Sequence, residues 1–326
     1  RHEQFGGPHA EVNAIAAAAG ATAGRTMLVT LEPCAHQGKT PPCTAAVIEA
    51  GFKKVFVALR DPSPHTAGQG IEQLRAAGID VEVGLLKEEA TQLLAPFLKL
   101  LQTGRPYVHA KWAMTLDGKI ASHTGHSQWI SSPESRAIVH ELRGVMDAIV
   151  VGAKTVAGDA PLLTARPAGP RTATRVVVDS QAELPINSQL VSTVDEAPLL
   201  LATRTEASSR RVDELRSVGV EVVQFDAPAG TGVPLTALLD ELGRRQMTNV
   251  LIEGGGTLLG SLFDERLVDE VHVFVAPKIV GGLSAITPVG GIGLDRIPDA
   301  PTLQSTFIQS VGGDVYIHGI VDNRRG

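Results

Sequence analysis

The sequence predicts an α/β protein of two domains, and three observations carry that prediction. Its 326 residues exceed the usual size of one domain. Through the first hundred residues, short apolar stretches alternate with helix-like ones, the pattern of a largely parallel sheet covered by helices. The pattern breaks at Gly104-Arg105-Pro106 and then starts afresh, so the boundary is placed there, with residues 1–103 before it and 104–326 after it.

Each element has its own reason. Pro8-His9-Ala10-Glu11 opens an alanine-rich helix that ends near Gly20. Thr26–Leu31 reads as a buried strand leading into a cysteine-bearing loop. Pro41-Pro42 introduces a helix that runs to about Ala50, because proline brings a φ already suited to a first helical turn. Lys54–Leu59 follows as a strand, Ile71–Ala77 as a helix, Val81–Gly84 as a short strand and Lys87–Leu101 as a longer helix. After the boundary, Tyr107–Met114 is a strand and Pro133–Leu142 a helix. Ala148–Gly152, Arg175–Asp179 and Leu199–Ala202 read as apolar strands, and Val250–Ile252 runs almost directly into Gly254-Gly255-Gly256. Val271–Ala276 and Val315–Ile317 complete the sheet. Segments 167–170, 228–234 and 281–293, rich in proline or glycine, read as loops.

Composition narrows the function. Aromatic residues make up 4% of the chain, so the cores must be aliphatic. A net charge of −6 argues against a nucleic-acid or membrane surface as the main partner. No apolar run reaches the ~18 residues of a membrane span, and no charged-then-apolar leader precedes the first motif, so a cytoplasmic protein is expected. The chain starts at Arg1 rather than Met, with a metal-binding pattern inside ten residues, and part of the first domain is expected to lie upstream.

The chain holds two cysteines, and both fall in one short segment, P-C-A-H-Q-G-K-T-P-P-C, from Pro33 to Cys43. That concentration signals metal binding more than a disulfide. His9 offers an imidazole nitrogen, Cys34 and Cys43 offer thiolates, and three protein ligands leave the fourth position of a tetrahedral zinc ion to water. Zinc makes that water acidic enough to supply hydroxide near neutral pH. Glu11, two residues from His9, is suited to carry its proton to a leaving amine. Taken singly, a histidine ahead of a helix is an ordinary polar terminus, a first-turn glutamate an ordinary dipole partner and a cysteine a small core residue. H-A-E followed by L-E-P-C and a second cysteine after a proline pair has few such explanations.

This constellation resembles the zinc nucleobase deaminases, with H-x-E and P-C-x-x-C as their signature. Here eight residues separate the two cysteines, and the longer loop resembles that of the riboflavin-pathway deaminases. The resemblance implies a cytidine-deaminase-like three-layer domain and a ribosylamino-pyrimidinone 5′-phosphate substrate that His36 and Lys39 help to hold.

The resemblance continues beyond the boundary. K-W-A-M-T-L-D-G-K-I-A (Lys111–Ala121), S-Q-W-I-S-S (Ser127–Ser132), V-G-A-K-T-V (Val151–Val156) and V-L-I-E-G-G-G-T-L (Val250–Leu258) are similar to the reductase half of the bifunctional riboflavin-biosynthesis deaminase/reductases. That half has a fold similar to dihydrofolate reductase. Read from the residues alone, Glu253-Gly254-Gly255-Gly256-Thr257 is a strand-to-helix turn whose backbone N–H groups suit a pyrophosphate. It is not the G-x-G-x-x-G fingerprint and implies no Rossmann domain. The resemblance implies an NADPH site at Ala113, Trp129, Thr155, Asp159, Ser180, Gly255, Gly256, Thr257, Leu258, Leu259, Gly260 and Ser261. It assigns the sugar phosphate substrate to Ser127, Arg143, Leu163, Arg166 and Glu253. The two arginines would neutralise the phosphate with forked hydrogen bonds. One departure stands out. Many relatives carry two adjacent aspartates where this chain reads Asp159-Ala160, which bears on the local loop.

The expected function is therefore bifunctional. Zinc-dependent hydrolytic deamination of 2,5-diamino-6-ribosylamino-4(3H)-pyrimidinone 5′-phosphate precedes NADPH reduction of its ribosyl group to ribityl. The resemblance also implies a homodimer or higher homo-oligomer. A zinc nucleoside or tRNA deaminase with an accessory nucleotide-binding domain is the alternative. An RNA-directed enzyme would call for a basic, aromatic surface that this composition does not provide. A zinc-stabilised scaffold is the second alternative. It would need a fourth protein ligand, and His36 is the nearby candidate.

Overall fold

The computed structural model describes residues 7–38, 40–63 and 67–323. Contacts divide the chain into two compact units, residues 1–102 and 103–326.

The first unit is built on three parallel strands, β1 (Thr26–Leu31), β2 (Lys54–Leu59) and β3 (Asp80–Val83), side by side in that order. Alternation along each strand gives the small sheet two apolar faces. Val55 and Val57 face a core shared with Met27, Val47, Ile71, Leu74 and Val81. This core draws on α2 (Cys43–Glu49) and α3 (Gln69–Ala76), with Ile15 of α1 (Ala10–Ala17) packed at its margin. Ala58 and Leu59 join a second cluster with Ala90, Leu94 and Leu98, drawn from α4 (Lys87–Leu93) and α5 (Ala95–Thr103). Helix, sheet and helix therefore form three layers. The single helix expected over Lys87–Leu101 is two helices. Pro96, one residue into α5, has no N–H to continue the ladder, and the chain turns at Leu94.

The second unit is a nine-stranded sheet. Its strands in chain order are β4 (Tyr107–Thr115), β5 (Ala148–Gly152), β6 (Thr174–Val178), β7 (Leu199–Arg204), β8 (Glu221–Phe225), β9 (Asn249–Ile252), β10 (Glu270–Ala276), β11 (Thr302–Val311) and β12 (Asp314–Asp322). Their order across the sheet is β11-β12-β10-β4-β9-β5-β6-β7-β8. From β10 to β8 all neighbours are parallel, while β12 and β11 close one side as an antiparallel pair. The central strands read as near-continuous apolar runs because both of their faces are covered. Val150, Val176, Leu200 and Val250 face one core with α10 (Leu235–Arg244) and α11 (Gly256–Asp264). Ile149, Val177, Leu201 and Leu251 face the other with α8 (Gln189–Ser192) and α9 (Ser209–Ser217). Near the antiparallel side, Phe274 and Tyr316 pack on Val139 of α6 (Pro133–Arg143). The remaining helix, α7 (Ala153–Asp159), follows β5 directly. No described helix is long and apolar enough to cross a membrane.

Candidate zinc centre and two nucleotide-sized cavities

His9 is the N-cap of α1 and Cys43 the first residue of α2, so two helix starts bring their orphan N–H groups to one spot. Cys34, in the loop after β1, accepts the Cys43 backbone N–H at its Sγ (3.3 Å). The His9 Nδ1 atom lies 3.6 Å from Cys34 Sγ and 3.3 Å from Cys43 Sγ. A tetrahedral zinc ion bound through one nitrogen and two sulfurs sets nitrogen–sulfur separations of roughly 3.5 Å. These residues therefore fit zinc.

Electrostatics points the same way. The hydrogen bond from the Cys43 side chain, then the Cys43 N–H and His9, lowers the Cys34 thiol to about 5, against the pull of burial. The shared proton and burial push Cys43 up. Two adjacent thiols of which only one ionises readily call for a cation before both can be thiolates. Glu11 completes the group. Burial pushes its carboxyl up, while its hydrogen bond to Cys43 and the charge of His9 pull the other way. His36 is exposed and stands outside the three-donor cluster, so it does not supply a fourth ligand. Lys39 lies outside the described residues.

Glu32 is the residue of this centre that the motifs did not single out. It is buried, and its carboxylate accepts four backbone N–H groups. Asp61 (3.1 Å) and Gly68 (3.0 Å) donate to Oε2, and Gly70 (2.9 Å) and Ile71 (3.2 Å) to Oε1. It thereby caps α3 and ties residues 68–71 to the loop carrying Cys34. A Cβ on Gly70 would fall 2.1 Å from the Pro33 carbonyl oxygen, which explains why glycine stands there. The signal was present in L-E-P-C as a carboxylate in an otherwise apolar strand end.

In the second unit two cavities adjoin, of about 430 and 650 Å³, and they share Ile120, Ser127, Thr155, Asp159 and Gly255. The larger is lined by Ser180, Gly256, Thr257, Leu258 and Ser261. Gly254 has φ 106° and Gly255 is the N-cap of α11, so unshielded N–H groups of the first turn face this space. A turn of this kind in a cavity of this size fits a dinucleotide. The smaller cavity is lined by Arg143, Leu163, Arg166 and Glu253, and also by Ala113, Trp129 and Leu259, which were expected on the cofactor side. Gly260 lines neither; a Cβ there would meet the Gly290 backbone at 2.2 Å, so its glycine serves packing.

The surroundings of the expected contact residues differ. Arg143 spends its fork on Glu253 (Nε to Oε1 2.6 Å, the second terminal nitrogen to Oε2 2.7 Å) and its remaining nitrogen on the Thr164 carbonyl. Two of its five N–H donors remain beyond these bonds, and Arg166 is exposed at the cavity wall. Leu163 is 2% exposed, largely within the core beneath the cavity. Trp129 is 64% exposed, with the Arg136 guanidinium 4.5 Å from its ring centre. Ser127 donates to Asp159 Oδ1, fixing the end of α7. Ala160 caps that helix at φ 42°, a conformation that aspartate and asparagine adopt more readily than alanine.

Lys111, unremarked within its sequence motif, lines the smaller cavity. Burial lowers its ammonium pKa, opposed by the charge of Glu253. Burial alone would push Glu253 up, but Arg143 and Lys111 hold it below the ordinary carboxylate range.

Comparison with known proteins follows the same division. The family described as "Cytidine and deoxycytidylate deaminase zinc-binding region" matches residues 2–59, and "RibD C-terminal domain" matches residues 106–317. The riboflavin biosynthesis protein RibD of Actinobacillus pleuropneumoniae is 42% identical over 320 residues, covering 98% of this chain and 85% of that one. Its counterpart in Aquifex aeolicus is 40% identical over 318 residues, covering 97% and 86%. Among solved structures, Acinetobacter baumannii RibD superposes with a TM-score of 0.85 at 33% identity, covering 99% of this chain and 88% of that one. The diaminohydroxyphosphoribosylaminopyrimidine deaminase/5-amino-6-(5-phosphoribosylamino)uracil reductase of Thermotoga maritima gives 0.83 at 34%, covering 98% and 87%.

Proposed function

The chain belongs to the RibD family of bifunctional riboflavin-biosynthesis deaminase/reductases, and from that premise we propose how its residues divide the two reactions. Residues 1–103 carry the deaminase and residues 104–326 the reductase. The substrate is 2,5-diamino-6-ribosylamino-4(3H)-pyrimidinone 5′-phosphate, deaminated first and reduced second. The observation that carries the first assignment is the convergence of His9, Cys34 and Cys43 at zinc-ligand spacing with Glu11 beside them.

His9 Nδ1, Cys34 Sγ and Cys43 Sγ hold zinc, which when bound supplies the Lewis acidity that makes water nucleophilic near neutral pH. The Glu11 carboxylate takes a proton from the attacking water and returns it to the departing amino group, which leaves as ammonia. Its place at the start of α1, beside His9 and Cys43, lets it hold that proton between the two transfers.

In the reductase, NADPH supplies the hydride when bound. The first turn of α11, from Gly255 to Leu258, would hold its phosphates by backbone N–H donation, with Thr155, Asp159, Ser180 and Ser261 around it. Glu253, aligned by the Arg143 fork, accepts hydrogen bonds from sugar hydroxyls, while Ser127 adds a neutral contact. Arg166 meets the phosphate. Lys111 is the proton donor to the reduced sugar, because its lowered pKa makes the ammonium a willing acid beside Glu253. Assembly into a homodimer or higher homo-oligomer is supported by the edge strand β11, where Phe307 and Ile308 are exposed.

The test is product analysis on the aminated substrate. Without NADPH, ammonia and the deaminated ribosyl compound accumulate; with NADPH, the ribityl compound follows. Reduction with no ammonia released would contradict the order of steps.

A further inference from the structure

Away from both cavities, three donor atoms converge where β4 and β10 begin. The two strands run parallel with Glu270 opposite His109, and β12 on the far side puts His318 opposite His272. His109 Nδ1 lies 3.2 Å from His272 Nε2, His272 Nε2 lies 3.3 Å from Glu270 Oε1, and His109 Nδ1 lies 3.7 Å from the same oxygen. An ion bound tetrahedrally to nitrogen and oxygen at about 2.0–2.1 Å keeps its donors roughly 3.3–3.4 Å apart. His109 and His272 are buried, and none of these residues lines either cavity.

Hydrogen bonds behind the cluster fix which nitrogen faces inward. The Thr248 hydroxyl donates to Asp147 Oδ2 (2.8 Å), so Thr248 Oγ1 accepts from Asn249 Nδ2 (3.0 Å). That turns Asn249 Oδ1 toward His109 Nε2 (3.2 Å), which must donate, leaving a bare lone pair on Nδ1. His272 Nδ1 is 2.7 Å from the Tyr316 hydroxyl, an oxygen able to donate or accept. Imidazoles that ligate metals are held in this manner, with the outer nitrogen tied to an oxygen. With Nδ1–H donating to the Tyr316 hydroxyl, His272 Nε2 would turn a second lone pair to the same point. His318 stacks on His272 with ring centres 4.7 Å apart, bonds Glu270 Oε1 through Nε2, and keeps a third of its side chain in solvent. It marks the side from which an ion enters.

We propose that His109 Nδ1, His272 Nε2 and Glu270 Oε1 bind one divalent ion of the zinc type, separate from the ion of the deaminase centre, that ties β4 to β10. Two imidazoles and one carboxylate favour zinc, cobalt or nickel over magnesium or calcium.

The test uses the full chain loaded with zinc, freed of loose metal and assayed by elemental analysis. Wild type should hold two zinc ions per chain, and a Cys34→Ser/Cys43→Ser chain one. On that thiol-free background, Glu270→Gln and, separately, His272→Gln should weaken zinc binding at least tenfold. NADPH oxidation on the deaminated substrate should persist in both, reporting an intact fold. Cobalt in the thiol-free chain should give a visible spectrum without thiolate charge transfer. One zinc per wild-type chain, with cobalt showing sulfur ligation alone, overturns the proposal. So does undiminished affinity in the Glu270 and His272 variants.

Discussion

Glu11 stands two residues from His9 at the start of α1, beside Cys43, and burial raises its carboxyl. A group so placed can carry a proton without touching the metal's charge balance, which separates its role from that of the ligands. Glu11→Gln should therefore keep one zinc at the deaminase centre while ammonia release falls by about 10²–10⁴-fold. Elemental analysis beside an ammonia assay reads both, and retained activity would remove Glu11 from the proton path. At this scale the zinc ligands were legible because the chemistry demands residue types at fixed spacing. The pairing of Arg143 was not, because a cation on a helix carries no mark of the carboxylate it will meet. Its fork belongs to Glu253, an interaction 110 residues away in sequence that no local pattern announces. Lys111 was hidden for the same reason, since its depressed pKa arises from burial in the folded second unit and from the charge of Arg143, against the pull of Glu253.

The deaminase centre depends on one close approach between elements. Gly70, in the first turn of α3, lets that helix touch the Pro33 carbonyl, one residue before Cys34. Gly70→Ala should force the two apart. The expected result is a first unit destabilised by about 1–3 kcal/mol, with zinc content and ammonia release both reduced and NADPH oxidation on the deaminated substrate preserved. Chemical denaturation and metal analysis check it, and full zinc occupancy in the variant would show that the loop has room to shift. Elements with strong internal patterns were read from sequence. Thr26–Leu31, Lys54–Leu59 and Ala148–Gly152 are strands as expected. Those that depend on their neighbours were not. β11 carries exposed side chains along most of its length and exists through its pairing with β12. β8 is a short edge strand held by β7. The break at Leu94 follows from Pro96, which interrupts a helical ladder that the leucines around it would otherwise continue.

For the whole molecule, the three zinc ligands belong to residues 1–102 and every residue lining the two nucleotide-sized cavities belongs to residues 103–326. The two chemistries therefore draw on separate cores and separate charged groups. Removing metal with a chelator should abolish ammonia release from the aminated substrate and leave NADPH oxidation on the deaminated one. The second ion proposed at His109, Glu270 and His272 would be stripped as well. Because those residues line neither cavity, its loss should appear as a lower melting temperature for the second unit, not as slower hydride transfer. Zinc added back should restore ammonia release, and the melting temperature should rise with free zinc, as it does for any ligand that binds only the folded state. A reductase that loses activity in step with the deaminase on chelation would mean that metal reaches the hydride-transfer site, contrary to the division drawn from these residues.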